Sequence, residues 1–234
     1  MKKFYSKVSV VKGKSGFAIK LDDKVVKTPA KKNLNVNSDA LANSIASEWR
    51  EQGEKIDIKS MPHTTMCYAA IDQDKKSREM IAFEVAAYAD TDLICYRAEI
   101  PLELHEKEAQ SWDPIVAWLK AEYGVELLVT KGISHVEQAK ETNLFINKYL
   151  AKQDNFVLIA LHMLTGLLGS VFLSFAVAEK KFSLDEAWLA SRVDEDFQAS
   201  RWGDDQEAKE AIDEKYKQYS HAVSFLCLSQ SENL

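Results

Sequence analysis

The chain has 234 residues, 46% of them hydrophobic, which suits one large domain or two unequal ones around a sizeable core. Thirty Lys and Arg stand against 36 Asp and Glu, a formal charge of −6, which argues against nucleic acid as the main partner and favours a basic protein. Cys67, Cys95 and Cys227 lie far apart with no C-x-x-C pair, so neither a disulfide framework nor a zinc knuckle is written here and a reducing compartment is expected. At the start, Ser6, Lys7, Ser9 and Lys12 interrupt any secretory apolar stretch, and the chain reads as a bacterial cytoplasmic one.

The first elements are strands. Phe4 to Val11 and Phe17 to Leu21 flank Lys12-Gly13-Lys14-Ser15-Gly16, a hairpin signal, and Lys24 to Thr28 extends the meander until Pro29 stops it. From Ser38 the period changes: Ser38 is a plausible N-cap, Leu41, Ile45 and Trp49 recur every fourth residue, and Gly53 stands where a helix would end. Beyond Pro62, Pro and Gly largely vanish, and helices are expected near 64–73, 75–89, 103–122, 137–151, 155–179, 184–199 and 205–228. Asp92 to Tyr96 and Glu126 to Thr130 have strand-like composition and are read as returning to the N-terminal sheet. The expected fold is therefore α+β: a small antiparallel β-rich domain with one helix over 1–60, followed by a larger helical domain over 61–234.

Phe156 to Ala178 is the longest uncharged run, long enough to span a bilayer. His162, Thr165, Ser170 and Ser174 weigh against a span, and Gly166 and Gly169 divide the run into two helices of ordinary length, so a buried helical hairpin is the preferred reading. A membrane-anchored scaffold is the alternative. Gly13-Lys14-Ser15 fails as a phosphate loop because the required earlier glycine is Val8, and His105-Glu106 fails as a zinc-protease helix because the second histidine is replaced by Ala109. His63 and Cys67 share a helix face at i,i+4, a spacing that fits a base beside a thiol, two ligands beside a metal, or two core residues; without a third partner the core reading prevails.

The C-terminal third concentrates acids: Asp185, Glu186, Asp194, Glu195, Asp196, Asp204, Asp205 and Glu207, partly offset by Arg192 and Arg201. Such a segment serves as a solvated face, as helix N-terminal charge, or as a negative patch for a basic partner; the carboxylates are too spread to indicate a metal. Trp188 and Trp202 lie within it. The last helix carries a seam of Ala208, Ile212, Tyr216, Tyr219, Val223 and Leu226, the mark of a packing helix against its own core or a partner. No nucleophile, base and anion-binding loop converge, although an enzyme with an unrecognised site stays open as an alternative.

Ordered fragments along nearly the whole chain resemble a known family. They are Phe4-Tyr5, Val26-Lys27-Thr28-Pro29-Ala30, Ala46-Ser47-Glu48-Trp49 with Gly53-Glu54, Met61-Pro62, Ile71-Asp72, Thr91 to Ala98, Trp112-Asp113-Pro114, Ala176 to Glu179, Glu186-Ala187-Trp188, Ser191 to Gln198, and Trp202 to Ala208. They resemble the ATP synthase assembly factors that chaperone the α subunit of the F-type ATPase before the catalytic hexamer forms. The resemblance implies a β-rich N-terminal and a helical C-terminal domain, no catalysis, no cofactor and no metal, and an apolar run that is soluble core. It implies a cytoplasmic bacterial protein, in the mitochondrial matrix for eukaryotic relatives, that binds the α subunit as a monomer without inserting in a membrane. An acidic position shortly after the Trp-Gly pair matters in the family; four after Trp202 stands Gln206, and a shift of one places the role on Glu207. The partner-binding residues expected on these grounds are Glu207, Asp205, Asp204, Trp202, Glu195 and Asp194.

Overall fold

The computed structural model describes residues 1–14, 16–202 and 206–230, without the side chain of Trp202. The chain divides into two compact units, one of residues 1–79, 154–160 and 221–234, the other of 80–153 and 161–220.

The first unit is built on a small antiparallel sheet. β1 (Val8–Gly13) pairs with β2 (Gly16–Leu21) from Val8 opposite Leu21 to Gly13 opposite Gly16, the expected hairpin with its first strand starting four residues later and ending two later. Asp22 closes the far end, its Oδ1 accepting from the Ser6 and Lys7 amides at 3.1 and 2.9 Å. β3 (Lys24–Val25) follows as expected, and β4 (Asn35–Val36), which the sequence reading missed, pairs with β2 at its other end. Gly16 has φ +110°, and a Cβ there would stand 2.3 Å from the Val36 carbonyl oxygen, so only glycine lets β4 close over the hairpin.

Phe17, Ile19 and Leu21 alternate inward, and α1 (Asp39–Arg50) covers them with Leu41, Ala42, Ile45, Ala46 and Trp49. Ser38 caps α1, its Oγ accepting from the Leu41 amide. The helix stops at Arg50, before Gly53, because the Gln52 side chain folds back on the Glu48 carbonyl and takes the Asp57 amide. α2 (Pro62–Asp72) has no N-cap side chain of its own; Glu48 of α1 supplies one, accepting from His63 N at 2.7 Å and Thr64 N at 2.8 Å. At the other end Asp72 accepts from Thr28 Oγ1 at 2.6 Å and Ala30 N at 3.0 Å and so fixes the Pro29 turn. Cys67 is fully buried with its thiol pushed well up by desolvation, and His63 is held below its usual value chiefly by burial, while its Nδ1 meets Ser44 Oγ at 2.7 Å. Both are core residues.

The helical elements continue with α3 (Lys75–Ala87), α4 (Leu102–Tyr123), α5 (Lys140–Lys152), α6 (Asn155–Leu168), α7 (Val171–Ala178), α8 (Leu184–Ala190), α9 (Val193–Trp202) and α10 (Gln206–Ser229). The long apolar run is the expected hairpin, broken at Gly169 (φ +67°) rather than within α6 at Gly166. Ser170 caps α7, and Asp92 reinforces it, accepting from Val171 N at 2.7 Å and Phe172 N at 3.2 Å. Among the described residues no helix is long and apolar enough to cross a membrane. Every residue of α7 is buried, and Phe175 lies within 4.6 to 5.3 Å, ring to ring, of Tyr149, Tyr123, Trp118 and Phe145.

Two expectations about these elements fail. Residues 92–96 and 126–130 do not rejoin the N-terminal sheet; β5 (Tyr96–Arg97) and β6 (Thr130–Lys131) form their own two-stranded parallel ladder. Asp92 is committed to α7, and the Gln138 amide satisfies both the N–H and the carbonyl of Leu128 at 2.9 Å, so the polar backbone of these segments is used locally. The expected 184–199 helix is likewise two: Ser191 and Arg192 interrupt it, the Ser191 hydroxyl donating to the Trp188 carbonyl.

Candidate functional site

The second unit carries 24 acidic against 14 basic residues, a net −10, whereas the first carries 12 against 16, a net +4. The acidity of the whole chain is thus confined to the helical unit. Its densest part begins at α9, where Asp194, Glu195 and Asp196 occupy the first turn, the place the helix dipole favours. Glu195 and Asp196 are exposed. Buried Arg192 binds Asp196 at 2.8 Å and lies 5.5 Å from the centre of the Trp188 ring, which stacks on Tyr219. The Tyr216 and Tyr219 hydroxyls donate to Asp185 Oδ1 and the Leu184 carbonyl, so that part of the α10 seam packs on α8 of the same chain. At the end of α9, Arg201 pairs with Glu103 at 2.6 Å.

Of the expected partner-binding residues, Asp194 and Glu195 are neighbours on α9, and Glu207 is exposed in the first turn of α10. Trp202 ends α9; its side chain, with Asp204 and Asp205, lies outside the described residues. Asp194 points away from Glu195. It lines a cleft of about 490 Å³ together with Arg97, Glu99, Ile100, Glu108 and Ile133.

Within the cleft Glu108 is 1% exposed, and its Oε2 accepts from the Ala98 amide at 2.7 Å. Burial, with the Asp194 carboxylate beside it, pushes its carboxyl up to about 7. Asp194 Oδ1 is buried without a conventional donor, so a protonated Glu108 is the group that can serve it. Arg97 offsets the pair only in part. Its guanidinium donates to the Ile94 carbonyl and to Asp113 at 3.0 Å, and stacks 4.8 Å from the Trp112 ring centre. Gly132, at φ +77°, brings the loop after β6 against Glu99, where a Cβ would lie 2.8 Å from the carboxylate. At the rim Ile100 and Ile133 stand 85% and 99% exposed.

The arrangement is an acidic surface with two bare aliphatic side chains, suited to a partner surface that mixes cationic and apolar groups. Sequence reading found the acids of α9 but missed Glu108, which carries no local signal, and the isoleucines, whose exposure reverses their usual placement. Among the described residues no group of three His, Cys, Asp or Glu side chains is placed to hold a metal.

A family model described as ATP12 chaperone protein matches residues 2–120. The mitochondrial protein atp12 of Schizosaccharomyces pombe is 27% identical over 225 residues, covering 90% of this chain and 77% of that protein. The crystal structure of Atp12 from Paracoccus denitrificans is similar at a TM-score of 0.92 with 34% identity, covering 98% of each chain. A solved protein from Agrobacterium tumefaciens is similar at 0.91, also with 34% identity, over 97% of this chain and 85% of that one.

Proposed function

The chain belongs to the ATP12 chaperone family, and from that premise we propose that it binds the free α subunit of the F-type ATP synthase and prevents its aggregation before the catalytic hexamer forms. The protein acts by binding alone, as a cytoplasmic monomer without enzymatic activity. An unassembled ring subunit exposes an obligate interface, more apolar than ordinary surface and prone to wrong pairing. A transient partner must cover that face and later yield it to the true neighbour.

The observation that supports this reading is the confinement of negative charge to the helical unit, with exposed Glu195 and Glu207 at helix starts and Ile100 and Ile133 beside buried acids. Charge gives such a complex its speed and selectivity, and the aliphatic side chains add apolar contact. The test reverses charge at two exposed helix starts. Glu195→Lys with Glu207→Lys should cost about 1–2 kcal/mol through the two helix dipoles, leave the chain folded, and weaken α-subunit capture at least about tenfold. Undiminished capture would remove these residues from the interface, and a parent chain that captures no α subunit would overturn the function itself.

A further inference from the structure

The β-rich unit has a cleft that the acidic site does not use. It encloses about 430 Å³, and Phe4, Trp49, Ile56 and Ile58 contribute to its apolar wall while Lys24 and Lys27 contribute its charge. Among the described residues no Asp or Glu lines it. Phe4 and Ile58 are 62% and 45% exposed, so the wall is bare rather than closed by its own side chains. Lys24 and Lys27 are exposed as well.

Trp49 adds a second, independent observation. Its residue is 4% exposed, held by α1 and by the Tyr5 hydroxyl, which donates to the Trp49 carbonyl at 2.5 Å. Its indole Nε1 is buried and donates to no acceptor among the described residues. An indole N–H is a donor only, and leaving a buried donor unmade is unfavourable, so Trp49, which contributes to the lining, carries an unmet donor that an incoming oxygen could satisfy. The neighbouring phenol of Tyr68, also lining the cleft, is pushed up to about 12, first by burial, and so adds no negative charge near neutral pH.

We propose that this cleft binds an extended apolar peptide segment bearing a carboxylate, with a peptide or carboxylate oxygen accepting from Trp49 Nε1 and the carboxylate lying against Lys24 and Lys27. Apolar walls without acids exclude a basic segment, and the lysine pair at the rim selects an acidic one. The unit as a whole, at net +4, favours the same sign. The inference stands on the cleft; on the function proposed above, the segment belongs to the client and gives it a hold distinct from the acidic surface of the other unit.

The probes are capped peptides of sequence Leu-Leu-Phe-Asp-Glu, its Lys-Lys counterpart and its Ser-Ser-Ser counterpart, followed by NMR of the protein carrying ¹⁵N in its five tryptophans. Trp49→Phe assigns the Trp49 indole signal. The acidic apolar peptide should move that signal downfield and bind at least about tenfold more tightly than the basic one; Lys24→Glu with Lys27→Glu, both at exposed positions, should reverse the preference. A Trp49 signal unmoved at saturation, equal binding of the two charged peptides, or tighter binding of dodecanoate than of the peptide would each overturn the proposal. Capture of the α subunit is measured alongside. Peptide binding without α-subunit capture would count against the chaperone function while supporting the cleft's chemistry.

Discussion

Two buried carboxyls show how single residues shape both stability and site. Asp92 is fully buried and accepts from the amides of Ile94, Val171 and Phe172, yet burial pushes its carboxyl up to about 7. Replacing it by Ala strands those three donors, and Asp92→Ala should cost about 3 kcal/mol or more in chemical denaturation, with loss of the α6–α7 corner. Glu108, also raised to about 7, holds a proton in the folded state that it has lost in the unfolded state at neutral pH. Its contribution to stability is therefore greatest below the ordinary carboxylate range and is lost as pH rises towards about 7. Glu108→Gln mimics the protonated form, keeps an acceptor for the Ala98 amide and offers a donor to Asp194. Thermal melts should place the variant about 2–4 °C above the parent at pH 8 and level with it at pH 5; the same offset at both would deny the titration of Glu108. Nothing in the sequence marks Glu108, because a glutamate in the middle of an amphipathic helix is ordinarily solvated.

At the scale of elements, the signals that could be read were those with a local cause. The hairpin follows from Gly13 and Gly16, the start of α1 from Ser38, and the split of the apolar run from Gly169, all of which act within a few residues. What escaped was set by distant partners. β4 depends on Gly16 of another strand, the first turn of α2 on Glu48, and the ladder of β5 and β6 on commitments made by Asp92 and Gln138. The family-like fragments nonetheless fall on such long-range pairs: Thr28 and Ala30 meet Asp72, Arg97 meets Asp113, and Trp112 Nε1 donates to Ala190. α8 offers a clean test of a local device. Ser183 and Glu186 form a reciprocal capping box, so Ser183→Ala should lower stability by about 1 kcal/mol without altering α-subunit capture. A larger loss of capture than of stability would place this helix start in the interface.

Across the whole molecule the informative feature is charge separation, +4 in one unit and −10 in the other, which the net value of −6 conceals. The units are also discontinuous in sequence, with 154–160 and 221–234 returning to the N-terminal one, an assignment no local pattern encodes. If the acidic surface guides the client, raising salt from about 50 to about 500 mM should slow α-subunit association severalfold, and Glu195→Lys with Glu207→Lys should flatten that dependence. Salt-insensitive association would shift the weight to apolar contacts at Ile100 and Ile133. The proposed function is tested by expressing the α subunit with and without this chain, measuring soluble α, and adding the catalytic β subunit to any complex recovered. A chaperone of the α subunit gives a higher soluble yield, an isolable one-to-one complex, and its own release as β binds. An α subunit whose solubility is unchanged, with no complex found, would contradict it.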